Sequence, residues 1–185
     1  MSSRVIIPLL VVSVLLAIEF SSEFLRFDVS PEWVDTYGEF YMTGCDEFGK
    51  PALLLFPFVP DSALGKAQDI EVYGLDGNEL TWHWARRDTL LGLPCPQKPC
   101  GFIIEYRTPF VHDKFIYILK SVQLWGEPLD SCKIEVRFSQ SLPVKMSYPV
   151  DTLFFEDSIA IARFLFKNFM PQSNFVIEIE DGKHE

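Results

Sequence analysis

Trp82-His83-Trp84, followed by Arg86-Arg87, is the densest group of chemically capable side chains in this 185-residue sequence. Tryptophans two residues apart share one face of an extended strand. On an open face they could stack on a sugar or anchor a partner, and Trp and Arg are enriched where proteins bind one another. On a covered face they would fill a core. Leu80, Trp82 and Trp84 line one side and Thr81, His83 and Ala85 the other, a pattern that favours the core, with Arg86-Arg87 ending the strand at the surface. Trp125 and His112 complete the set of candidate contact residues.

The four cysteines are Cys45, Cys95, Cys100 and Cys132. An even number in an exported chain reads as a disulfide framework. The two prolines of Cys95-Pro-Gln-Lys-Pro-Cys100 restrict the loop, so the expected pairs are Cys95–Cys100 and Cys45–Cys132. The latter would close a long loop and stabilise by about 2–4 kcal/mol. Zinc and redox chemistry are weaker readings, because zinc sites and thiol oxidoreductases use closer spacings.

Catalytic constellations are hard to assemble. The three histidines, His83, His112 and His184, are far apart in sequence, whereas catalytic zinc needs three protein ligands. No Gly-x-Ser-x-Gly elbow and no phosphate-cradling glycine loop occurs. His112-Asp113 is the one local His–acid pair between expected strands and reads as an exposed turn. Asp46-Glu47, Glu156-Asp157 and Glu180-Asp181 are neighbours in sequence, whereas a glycosidase pair comes from separate segments about 5–9.5 Å apart. Calcium has no Asp-x-Asp-x-Asp loop to bind. No metal and no cofactor is therefore expected.

Period-two alternation dominates the elements that must position these residues. In Lys133-Ile-Glu-Val-Arg-Phe138, Ile134, Val136 and Phe138 face a core while Lys133, Glu135 and Arg137 face water. Residues 102–107 and 175–180 alternate likewise, and further strands are expected at 25–29, 39–42, 53–58, 115–122 and 144–148. Residues 69–85 read as one hairpin around Asp76-Gly77-Asn78. Residues 158–169 fit a helix stopped before Pro171 or a long strand apolar on both faces, and their Ile and Phe content favours the strand. Residues 61–69 read as room for one helical turn. Prolines recur at short intervals, the punctuation of an all-β fold. The expected fold is an antiparallel two-sheet β-sandwich, immunoglobulin-like, over 24–180, followed by a flexible acidic tail at 181–185.

The beginning of the chain reads as an address. Behind Arg4, residues 5–18 carry no charge. They fall short of the about 20 residues that span a bilayer as a helix and match a secretory apolar region. Residues 1–20 are expected to be a signal peptide, cut best after Ala17, or an uncleaved anchor. A buried element of a cytosolic protein is the remaining reading. Lys and Arg number 16 against 26 Asp and Glu, a net charge of −10, which disfavours nucleic acid. No Asn-x-Ser/Thr acceptor occurs. The sequence therefore points to an exported, non-catalytic interaction or accessory protein, secreted, periplasmic or held at the outer face of a membrane. A protein partner is expected, and the membrane is approached through residues 5–18. The alternative is a carbohydrate or small-ligand binding domain using Trp82, Trp84 or Trp125, and a carboxylate-pair enzyme ranks third.

Overall fold

The computed structural model describes residues 19–44, 53–58, 65–86, 89–94 and 99–180. Residues 1–18, 61–64 and 181–185, Cys45, Cys95 and Arg87 lie outside them. The described chain is nearly all β. A seven-stranded sheet has the order β11 (Thr152–Glu156), β12 (Ile159–Phe169), β9 (Leu129–Ser139), β1 (Glu19–Val29), β2 (Trp33–Thr43), β7 (Gly101–Pro109), β4 (Gln68–Gly74). Two three-stranded sheets accompany it. One is β10 (Val144–Met146), β13 (Phe175–Ile179), β8 (Lys114–Tyr117); the other is β3 (Leu53–Pro57), β6 (Leu90–Pro94), β5 (His83–Arg86).

Both small sheets lie on the same face of the large one. Alternation turns Leu25, Phe27 and Val29 of β1, Ile134 and Val136 of β9, and Phe102, Ile104 and Tyr106 of β7 onto that face, all buried. Phe27 meets Phe115 of β8 at 5.4 Å and stacks on Phe175 of β13 at 5.6 Å. On the other half, Phe40 and Phe102 stack at 4.7 Å and Phe56 of β3 meets them edge-on. Aromatic rings thus weld the layers, each pair adding about 0.5–1.5 kcal/mol beyond the area it buries.

Four expectations need correction. The large sheet is not wholly antiparallel, since β1 and β9 pair in parallel from Ser22↔Ser131 to Val29↔Phe138. Parallel neighbours need a long crossover, and here every strand between β1 and β9 supplies it. There are three sheets rather than two. Residues 69–85 do not form one hairpin. The turn is made, with Gly77 at φ 81° and the Asp76 carboxylate accepting the Asn78 N–H, but only a Tyr73↔Glu79 bridge and a Leu80-to-Val72 bond follow it. The chain then crosses to β5, where Trp84 packs on Phe58 at 5.6 Å. Finally, the strand expected at 115–122 ends at Tyr117 and gives way to a 3-10 helix, Leu119–Trp125, closed by Gly126 at φ 82°. Residues 159–169 are a strand, as favoured.

Candidate functional site

The outer face of the seven-stranded sheet carries the chain's polar chemistry. Strand parity turns Arg26 and Asp28 outward on β1, and their side chains join at 2.9 Å. Across the sheet Arg107 grips Asp35 through two bonds, at 2.6 and 3.2 Å. Aromatic rings interleave with the cations: Arg26 lies over Tyr37, Lys133 over Phe24 and Arg163 over Phe154. The Tyr37 and Tyr41 hydroxyls both donate to Glu39. Burial, then the bond to Glu39, holds the Tyr37 phenol well above its ordinary range, so it serves as a fixed donor.

Glu135 is the centre of this lattice. It faces the side expected to be wet, yet its side chain is only 4% exposed. Lys133 and Arg163 reach Oε1 at 2.9 and 3.0 Å, and Arg137 reaches Oε2 at 3.3 Å. Long side chains on adjacent strands fold over the carboxylate and exclude water. Burial pushes its proton affinity up, but hydrogen bonds and charge from Lys133, with Arg137 and Arg163, outweigh this and hold it below the ordinary range. Its stabilisation is therefore present above the ordinary carboxylate range and is lost as pH falls through the depressed value. Glu135→Gln should cost about 1–3 kcal/mol at pH 7, since breaking a buried pair is costly but the three cations keep access to water. Urea unfolding should show the difference shrinking as pH falls below the ordinary carboxylate range, and a difference that stays constant on the acid side would exclude the ionic origin.

Beside the lattice, where β1 turns into β2 and β11 into β12, the face dips into an open pocket of about 480 Å³. Asp28, Asp35, Glu156, Asp157 and Arg137 supply its charge, and Phe138, Ile159 and Ile161 its apolar surface. The volume suits a small molecule or a few residues of a partner. Asp28 and Asp35 are opposed on neighbouring strands, so two carboxylates from different strands do share a cleft. Each is held by its own guanidinium, Asp28 by Arg26 and Asp35 by Arg107. The Arg137 Nε is buried without a hydrogen-bond partner. A second crevice, between the small sheets, is about 20 Å³, room for one water.

The sequence-predicted contact residues fall on three separate elements. Trp82 and Trp84 are half-buried and meet edge-on at 5.8 Å and 81°, so they form no flat stacking platform. Arg86 is exposed at the end of β5. His112 and Asp113, at φ 52° and 59°, make the exposed two-residue turn between β7 and β8. Trp125 ends the 3-10 helix. Cys132 is a free, buried thiol, which corrects the expected Cys45–Cys132 bridge: its side chain points into the core beside Glu23, to which the thiol donates at 3.9 Å. Burial, reinforced by Glu23, pushes its pKa well up and keeps it an inert thiol. Cys100 is disulfide-bonded. Among the described residues no three of His, Cys, Asp and Glu group to hold a metal.

The pocket residues Asp28, Asp35 and Arg137 formed no recognisable motif because they meet only through strand pairing. Their one signal was parity, the outward positions of Lys133, Glu135 and Arg137.

By class, then, this is an all-β chain of layered sheets with an open polar pocket on its outer face. Solved structures share the fold. A candidate nutrient-binding protein of Legionella pneumophila aligns with a TM-score of 0.64 at 13% identity, covering 87% of this chain and 66% of that one. An M1 zinc metallopeptidase of Deinococcus radiodurans aligns at 0.53 and 8% identity, covering 88% of this chain and 42% of that one. The same peptidase bound to a Tyr-Ser-Ala substrate gives 0.52. At these identities the likeness is one of fold, and this chain spans less than two thirds of either protein. No protein-family model matches the chain, and no curated protein matches it.

Proposed function

We propose that the protein is an exported, non-catalytic binding module of immunoglobulin-like sandwich type, which holds a protein partner at the outer-face pocket. The observation that carries this is the pocket itself: about 480 Å³, open, with four carboxylates and Arg137 around Phe138, Ile159 and Ile161. A mixed rim over an apolar floor suits a peptide segment that offers a basic side chain beside an apolar one. The Legionella protein's nutrient-binding description is compatible with a binding role. Export is supported by the charge-free run at 5–18 and by the disulfide at Cys100, a bond that persists in oxidising compartments. A cut after Ala17 would leave β1, which starts at Glu19, intact.

A photo-crosslinker at Ile159 tests the reading in the source cells. Capture of one extracytoplasmic protein is expected, weakened about tenfold by Glu156→Lys with no change in melting temperature. Capture that ignores Glu156→Lys, or recovery of the chain in the cytosol, would overturn it. Small-ligand binding through the tryptophans is less favoured, because Trp82 and Trp84 cross rather than stack.

A further inference from the structure

A free sheet edge exposes unpaired backbone groups, and natural proteins blunt it with bulges, prolines, charges or short strands. Five of the six sheet edges here carry such a device. The β4 register breaks between Gln68 and Glu71, and the Glu79–Leu80 segment lies along it. The β5 register breaks between Trp84 and Arg86. β3 ends in Pro57, β10 has three residues including Lys145, and β8 has four beginning with Lys114. β11 has neither bulge nor proline, and its one charge is the terminal Glu156: Thr152-Leu-Phe-Phe-Glu156 pairs with β12 in unbroken register, and no described strand lies on its other side. Leu153 and Phe155 project from it 50% and 60% exposed, beside the small, buried Ala162 and Ala160.

We propose that β11 docks a second copy of this chain, the two strands pairing antiparallel about a two-fold axis at Phe154. The strand is its own complement. In that register Leu153 opposes Phe155 of the copy, so four apolar side chains form one ridge over the alanines. The one charge within the strand, Glu156, opposes Thr152, and no like charges face each other inside the pairing. A two-fold contact of this kind closes on itself and uses up both β11 edges, leaving at each end of the joined sheet only β4 with its broken register. Just beyond the strand ends Asp157 falls opposite Asp151, whose carboxylate accepts the Leu165 N–H at 2.7 Å. With a net charge of −10 per chain, the dimer should tighten as salt screens repulsion, the reverse of an interface held by ion pairs.

Sedimentation equilibrium of the full chain at low and high salt, together with a cysteine crosslink, tests this. Directly opposed residues on antiparallel strands lie about 4.5–5.5 Å apart at Cα, within disulfide reach. Phe154→Cys should therefore crosslink to itself on oxidation, while the parent chain does not. Phe155→Lys, and independently Leu153→Lys, should weaken the dimer about tenfold or more with unchanged circular dichroism. A chain monomeric at every concentration and salt, a dimer that survives both lysine variants, or a Phe154→Cys chain that stays monomeric under oxidation would each overturn the proposal. A strand of a different protein captured at β11 would do so as well.

Discussion

Glu23→Gln should make the protein more stable at pH 8 by about 3–4 kcal/mol and leave it nearly unchanged near pH 4. Parity dictates the site. Glu23 sits on the inward series of β1 with Leu25, Phe27 and Val29, opposite Phe40 on β2 and Cys132 on β9. Among the described residues no cation pairs with it. Its hydrogen-bond partner is the Cys132 thiol, and the buried Tyr117 hydroxyl lies within its electrostatic reach. Burial raises its pKa to about 8, a rise that the bond from Cys132 only partly offsets. In the unfolded chain the group titrates near 4.5. Between these values the folded state holds a proton that the unfolded state has released. Stability therefore falls as pH climbs through the window and levels off above about 8. Glutamine keeps the shape and cannot ionise, so it removes the slope. Urea unfolding from pH 4 to 8 checks this, and parallel profiles for the two proteins would exclude a buried, protonated Glu23. Together with Glu135, whose contribution is lost on the acid side, this leaves the joint contribution of the two carboxyls greatest at or just below the ordinary carboxylate range.

How much of this was legible depended on whether one residue type held one face. Residues 133–138 alternate without exception, 102–107 and 175–179 do so but for Ile103 and Val176, and all three are strands with the expected inward sets. Residues 158–169 were separable from a helix only through their Ile and Phe content. Glu23 escaped notice because a carboxylate at an inward position breaks the alternation that would have extended β1 back to Glu19. The 3-10 helix was hidden by the apolar run through Tyr117, although Leu119 and Val122, both buried and three apart, carry its period. The crossing after Asp76-Gly77-Asn78 could not be read locally, because parity around Trp82 is the same whether the strand continues a hairpin or joins another sheet. The pocket was illegible for a stronger reason. Asp28 and Arg137 are neighbours only through the parallel β1–β9 pairing, a long-range register that no local pattern encodes.

Phe27→Ala should cost about 3–5 kcal/mol, and Phe155→Ala under about 0.5 kcal/mol at concentrations where the chain is monomeric. The two side chains are chemically identical and both sit on the face of the large sheet that the small sheets partly cover. Phe155 lies at the uncovered edge, 60% exposed, so its removal returns little apolar surface to water and opens no void. Phe27 is fully buried, and its ring touches Phe115 and Tyr117 of β8 and Phe175 of β13 together. Phe175 in turn stacks on Tyr148 and meets Phe164 of β12 edge-on. Truncation at Phe27 therefore leaves a cavity in the seam between two layers, where neither sheet can collapse without breaking its own hydrogen bonds. Hydrogen exchange should localise the loss, with amides of β8 and β13 exchanging faster while those of β6 keep their protection relative to the global change. Equal costs for the two variants would mean that the Phe27 cluster does not hold the layers together.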